Sequence, residues 1–96
     1  MSKVNLVTII ESKVEEKDFI RKELENLIPI TRKEAGCINY NFFLDNKNSA
    51  RFIFEESWED KNKLQGHMES DHLKKYKVAS EGKLKSSEII ELIQLD

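Results

Sequence analysis

His67 and His72 are the side chains of this sequence best suited to accept a proton near neutral pH, because imidazole titrates in that range. They are its two histidines and stand five residues apart. A histidine in such a place is either a general base or a structural residue hydrogen-bonded within the fold. The choice depends on the elements that hold the two rings.

A strand and two short helical pieces are predicted to hold these rings. Between Arg51 and Trp58, alternate residues share one face of a strand, and after Trp58 the apolar period becomes helical. Asp60 is suited to cap the first helical piece, and the second is expected to begin near Ser70 or Asp71. This arrangement directs four side chains towards one pocket: Trp58, His67, His72 and Tyr76.

The pocket is predicted to have aromatic walls and hydrogen-bond donors. Its candidate substrate-binding residues are Tyr40, Phe42, Phe54, Glu56, Trp58 and Tyr76. The phenylalanines and the tryptophan would border a planar ring, and the two tyrosines would donate hydrogen bonds. Glu56 shares the strand face of Trp58, so its inward carboxylate needs a partner such as Arg51 or a histidine.

Three more strands and a long helix are predicted in the remaining chain. The strands cover residues 4–11, 37–45 and 88–95, and the helix covers residues 15–33. Pro29 is expected to kink that helix or begin a new turn, and Gly36 to end the segment. Polar connections are expected at 46–49, as a hairpin turn, and at 81–85. The order predicts one α+β domain over residues 1–96, with a ferredoxin-like βαββαβ fold and a four-stranded antiparallel sheet.

Composition argues against several classes of partner. The chain has 16 Lys and Arg against 18 Asp and Glu, so its charge favours neither nucleic acid nor an acidic membrane.

No apolar run approaches the roughly 20 residues that span a bilayer, and the first residues lead into a strand rather than a signal peptide. We expect a cytoplasmic protein, and the lone Cys37, unable to form an internal disulfide, agrees with a reducing compartment.

Apolar residues occupy both faces of the predicted sheet, although one layer of helices covers only one face. Within the strands, Val4, Leu6 and Ile10 oppose Val7 and Ile9, while Ile38, Tyr40 and Phe42 oppose Phe43, and Ile89 and Ile93 oppose Ile90 and Leu92. The face without helices would therefore be apolar. A patch of that kind is larger than a soluble monomer usually exposes. We therefore expect a homodimer with a two-fold sheet-on-sheet contact; the alternative is a monomer with a partly apolar open face.

The spacing of histidines and glycines predicts no cofactor. A break between the two helical pieces would deprive His67 and His72 of the i, i+4 geometry of a zinc-binding helix. The three glycines stand too far apart to form a phosphate-binding loop. We expect neither a metal ligand set nor a nucleotide cofactor.

Three short motifs in combination resemble one known family. They are residues 34–40 (EAGCINY), residues 52–58 (FIFEESW), and the trio Leu64, His67 and His72. The chain resembles the antibiotic biosynthesis monooxygenase family along nearly its whole length. The resemblance implies a dimeric α+β barrel in which each subunit holds an apolar cavity between its sheet and its helices.

The resemblance also implies an activity, the oxygenation of a small quinol or polyphenolic aromatic by O₂ without metal or flavin. That chemistry needs a base, here His67 or His72, together with a dry cavity and a donor for the developing oxyanion. Haem-degrading members have a Trp and a His where this chain has His67 and Lys77, so haem degradation is not expected.

Two other functions remain open at this point. One is a dimer that binds a small aromatic ligand without catalysis. The other is an isomerase of a small phosphorylated metabolite, which would need a basic cluster at the cavity mouth; its candidates are Arg51, Lys74 and Lys75. The identity of the substrate and the histidine that faces the pocket also stay open.

Overall fold

The computed structural model describes residues 2–96, and its elements follow the predicted order. The strands are β1 (Val4–Ser12), β2 (Cys37–Asp45), β3 (Asn48–Trp58) and β4 (Leu84–Leu92). The helices are α1 (Lys17–Arg32), α2 (Lys61–Met68) and α3 (Asp71–Ser80), with a short 3₁₀ turn at Val14–Glu16. All strands pair antiparallel in the order β2-β3-β1-β4. The predicted ferredoxin-like α+β fold is confirmed.

Helix α1 runs through Pro29 to Arg32, so the predicted new turn at Pro29 is wrong, and the alternative of a kink stays a prediction. Pro29 is exposed, and the carbonyl that its missing N–H leaves unpaired can therefore bond to water. The helix begins at Lys17 rather than residue 15, because the 3₁₀ turn takes the residues before it. Within residues 2–96, none of the helices has the length and apolarity required to cross a bilayer.

The β2–β3 hairpin is tighter than predicted. The expected turn at 46–49 shrinks to residues 46 and 47, because β3 already begins at Asn48, which pairs with Asp45. Two side chains shape this end of the hairpin. Asp45 accepts a hydrogen bond from the backbone N–H of Lys47 at 2.8 Å, and Asn48 accepts one from Ala50 at 3.0 Å.

Strand β4 begins earlier than the predicted 88–95, at Leu84, and ends at Leu92. The residues that follow Leu84 are polar, so apolar periodicity could not reveal this start, yet its backbone pairs with β1 from Ser12 onwards. The polar connection predicted at 81–85 is correspondingly shorter and turns at Gly82, whose φ is 77°. Leu95 lies beyond the strand and is 94% exposed.

The core lies between the sheet and α1. From the sheet it takes Ile10, Tyr40, Phe52 and Phe54, and from the helix Ile20, Leu24 and Leu27. Trp58 packs against Val4 and Leu6 in a second cluster near α2. These two clusters fix the distance between the sheet and the helices, and the candidate site lies where they meet.

The opposite face of the sheet keeps its apolar residues in contact with solvent. Phe43 is 50% exposed, Leu92 43% and Ile90 39%, whereas Val7 and Ile9 are half-buried. The strand register places these residues on one face, as the alternation predicts. An apolar surface of this kind is a candidate interface.

Candidate functional site

The last turn of α2 carries His67, which is 3% exposed. Asp60 caps the start of α2 by accepting a hydrogen bond from the backbone N–H of Lys63 at 2.9 Å, as predicted. The imidazole packs against two aromatic rings, with centroid distances of 4.6 Å to Trp58 and 5.6 Å to Tyr40. These contacts restrict how the ring can turn.

Glu34 holds one edge of that imidazole. Its carboxylate oxygens lie 3.0 and 3.2 Å from Nδ1 of His67. Glu34 stands in the loop after α1, and Gly36, with φ of 85°, turns this loop towards β2. The backbone N–H of Glu59 donates to the carbonyl of Gly36 at 2.8 Å, which ties the loop to the start of the α2 segment.

His72 binds the same carboxylate from the first turn of α3. Its Nε2 lies 2.6 Å from Oε1 of Glu34, 3.3 Å from the Thr31 hydroxyl and 3.4 Å from the Ser70 hydroxyl. The helical structure is interrupted between α2 and α3, where the Ser70 hydroxyl donates a hydrogen bond to the backbone carbonyl of His67 at 2.7 Å. This break brings the two imidazoles within 5.9 Å, centroid to centroid.

Glu56 lies on the other side of His67 and is 4% exposed. Its Oε1 accepts a hydrogen bond from the Trp58 indole at 3.1 Å, and its Oε2 accepts one from the Thr8 hydroxyl at 3.1 Å. Nε2 of His67 is 3.9 Å from Oε1. A histidine is thus near Glu56, as expected, whereas Arg51 pairs with Asp45 instead, at 3.9 Å.

Burial sets the protonation of this cluster. It lowers the pKa of His67 to about 4, with the neighbouring His72 as a smaller cause, and it also lowers the pKa of His72. Burial raises the pKa of Glu56, and that of Glu34 rises through burial and then through Glu56. His67 is therefore neutral at pH 7. If Nδ1–H donates to Glu34, Nε2 is the ring atom free to accept a proton.

A cavity of about 100 Å³ adjoins His67 between the sheet and the helices. Its wall is mostly apolar, and its polar groups include those of Thr8, Tyr40, Glu56, His67 and Tyr76. It is smaller than the cavity of about 150 Å³ that admits benzene in another protein. The space therefore fits O₂ or water, and an aromatic ring requires widening, most simply at the β4 edge, where Ile89 is 52% exposed.

Five of the eight predicted site residues line this cavity: Tyr40, Phe54, Glu56, His67 and Tyr76. Within residues 2–96, the other three lie outside its lining. Phe42 stacks between Phe52 and Phe54, Trp58 is fully buried behind Glu56, and His72 is turned to Glu34. The basic candidates Arg51, Lys74 and Lys75 are also outside it, and the lysine of the lining is Lys77.

Sequence reasoning missed Glu34, Thr8 and Thr31 as members of the site. Glu34 is the first residue of the motif at residues 34–40, and its place in that motif could have identified it as a site residue. Thr8 is a hydroxyl residue within an apolar strand, on the helix-facing side with Leu6 and Ile10. Their roles follow from pairings between residues distant in the chain, which periodicity does not reveal.

Residues 4–79, most of the chain, match the family model described as antibiotic biosynthesis monooxygenase. The chain belongs to the antibiotic biosynthesis monooxygenase family. The resemblance seen in the short motifs is thereby confirmed. No curated protein gives a significant match.

Solved structures similar to this family member include protein PA3566 of Pseudomonas aeruginosa, with 26% identity and a TM-score of 0.94, covering 100% of this chain and 97% of its own. Protein SO0527 of Shewanella oneidensis has 28% identity and a TM-score of 0.88, covering 96% of this chain and 90% of its own. A structure described as an antibiotic biosynthesis monooxygenase has 21% identity and a TM-score of 0.90, covering 97% of this chain and 99% of its own. At that identity the last similarity shows the fold alone.

Proposed function

We propose that the protein is a cofactor-independent monooxygenase that oxidises a small quinol or polyphenol with O₂, with His67 as general base. The observation that carries the proposal is the placement of His67, which contacts Glu34 through Nδ1 and lines the cavity. Membership of the antibiotic biosynthesis monooxygenase family supports the reaction class. The arrangement resembles a base and orienting carboxylate, in which the carboxylate fixes the tautomer of the imidazole.

The low pKa of His67 keeps its ring neutral at pH 7, so one ring nitrogen carries no proton. Burial disfavours an isolated imidazolium, so proton transfer takes place as the substrate becomes an anion beside it. The new positive charge is then balanced by that anion and by the carboxylate of Glu34, 3.0 Å away. Glu34 is a positioning residue in this scheme, because it acts through His67.

The reaction needs no external reductant. His67 removes a phenolic proton, and the resulting anion transfers one electron to O₂ to give a substrate radical and superoxide. These combine into a peroxide at a ring carbon that still carries one hydrogen, and the proton returned by His67 converts it into a hydroperoxide. Loss of the proton from that carbon, together with cleavage of the O–O bond, then forms a carbonyl and releases water. One oxygen atom stays on the substrate and the other leaves as water, and the substrate supplies all the electrons.

In this proposal, Tyr40 and Tyr76 hold the substrate oxygens. Tyr40 stacks on Phe54 with centroids 4.6 Å apart, and burial raises its pKa, so it remains a protonated donor. The Tyr76 hydroxyl is buried and has no hydrogen-bond partner within residues 2–96. A buried polar group without a partner costs free energy, which a substrate oxygen would recover.

The proposed assembly is a homodimer that joins the exposed sheet faces of two subunits. Phe43, Ile90 and Leu92 supply the apolar contact. Burial of apolar surface contributes about 25 cal/mol per Å², and a two-fold axis lets the same patch serve both copies.

Oxygen-electrode assays with a panel of quinols and polyphenols test the function. We expect His67→Asn to lower kcat by about 10²-fold or more, the range for loss of a general base. His72→Asn, which leaves the cavity lining intact, should reduce it less. Equal turnover in His67→Asn and wild type would refute the role of His67 as general base. Saturable binding of these aromatics by wild type without O₂ consumption would instead identify a binding module.

A further inference from the structure

We propose that Glu34, His67 and His72 also form a binding site for one divalent transition-metal ion, of which Zn²⁺ fits the ligand set well. Each residue offers one ligand atom, and the three atoms lie within 4.8 Å of one another. Imidazole nitrogen and carboxylate oxygen are the ligands of many zinc sites with three protein ligands. The inference differs from the sequence-based expectation, because the break between α2 and α3 brings the two histidines together instead of separating them.

The distances match the size of a coordination sphere. Zinc–nitrogen and zinc–oxygen bonds of about 2.0–2.2 Å place the ligands of a tetrahedral ion about 3.4 Å apart. Here Oε1 of Glu34 lies 3.2 Å from Nδ1 of His67 and 2.6 Å from Nε2 of His72. Small rotations of the Glu34 side chain, which is 18% exposed, would therefore admit the ion.

The residues around the three ligands would orient His67 and leave the metal ion accessible to water. When a metal takes Nδ1 of His67, the ring hydrogen moves to Nε2, which faces Oε1 of Glu56 at 3.9 Å. A carboxylate behind a ligating histidine is the usual orienting partner in metal sites. On the other side, Glu34, His67 and Ser70 border an open groove of about 400 Å³, from which water can complete the coordination.

Metal binding also has a consequence that rests on the proposed function. With the ion on Nδ1 and the hydrogen on Nε2, His67 has no free nitrogen to accept a proton. Zn²⁺ should then inhibit oxygenation at the concentration at which it binds. The binding itself requires only the three ligands and is measured without substrate.

Isothermal titration of the EDTA-treated, dialysed full chain with Zn²⁺ tests the site. We expect one ion per chain, no comparable Mg²⁺ binding, and affinity at least about tenfold weaker in Glu34→Gln and His72→Asn. Asp71→Asn is the matched control, because it removes an exposed acid next to His72 but outside the cluster. No saturable Zn²⁺ binding, or an equal loss in Asp71→Asn, would overturn the proposal.

Ring-nitrogen NMR of wild type locates the ion even if a variant fails to fold. The expected result is a Zn²⁺-dependent shift of Nδ1 in His67 and of Nε2 in His72. If Zn²⁺ shifts the signal of neither nitrogen, the proposed metal site is also overturned. If Zn²⁺ binds while His67→Asn retains full turnover, the proposed base fails and the metal site stands.

Discussion

Nδ1 of His67 lies 3.0 Å from Oε2 of Glu34, although the two residues are 33 positions apart in the chain. The contact joins the loop after α1 to the end of α2, above the central strands. It fixes the imidazole edge and supplies a negative charge to any imidazolium formed there. The chemistry proposed for this family member depends on that pair.

Glu34→Gln tests the pair by removing the charge while keeping the shape. We expect kcat to fall by about 10²-fold, since the imidazolium loses its counter-charge, with KM nearly unchanged. Steady-state O₂ uptake against substrate concentration separates the two constants. Glu59→Gln, a nearby exposed acid, should behave as wild type. A raised KM at constant kcat would mean that Glu34 binds substrate instead.

The stability of the protein should fall between pH 7.5 and pH 5 because of His67. Its folded pKa of about 4 lies below the unfolded value of 6.5, so the unfolded state binds more protons in this window. The contribution is about 2 kcal/mol between those pH values. Glu34 and Glu56, with raised pKa values, act in the opposite direction. Urea unfolding of wild type and of His67→Gln at several pH values isolates the contribution of His67 to the free energy of unfolding. If that free energy changes with pH in the same way in both proteins, His67 is not buried as a neutral ring.

Gly36→Ala should destabilise the fold more than Gly82→Ala. Both glycines have positive φ, which costs an alanine about 1 kcal/mol. A methyl group at Gly36 would also collide with the Lys63 side chain, including its Cβ, whereas nothing lies within 4 Å at Gly82. Urea unfolding of both variants measures the difference. Equal losses would show that the loop carrying Glu34 is not packed against α2.

Phe43→Asp should convert the protein from dimer to monomer. A carboxylate placed in an apolar sheet-on-sheet contact cannot be solvated there. Sedimentation equilibrium should give twice the 11.3 kDa chain mass for wild type and the single mass for the variant. Val78→Asp, on the exposed side of α3, is the matched control and should remain dimeric. A wild-type protein that sediments as one chain would remove the proposed interface.

Local pattern was sufficient for much of this fold. The bounds of β2, the Asp60 cap, the turn at Gly36 and the inward side of Glu56 all follow from residues close in sequence. Such features depend on period-2 alternation, capping and backbone conformation, which the chain encodes locally. The order of the elements then indicates the ferredoxin-like fold.

Features that depend on contacts between distant residues could not be predicted from the sequence. Glu34 belongs to the site because a loop and two helices meet, and the polar start of β4 is held by pairing with β1. The helix runs past Pro29 because that residue faces solvent. The cavity volume depends on how Tyr40, Leu24 and Leu73 pack together, and no sequence period states that.

Oxygen-isotope labelling tests the central claim most directly. EDTA-treated wild type is incubated under ¹⁸O₂ with a quinol that it consumes, and the product is analysed by mass spectrometry. The proposed function predicts one labelled oxygen atom in each product molecule and almost none from His67→Asn. A product that carries no label, or the same labelled yield from His67→Asn, would contradict it.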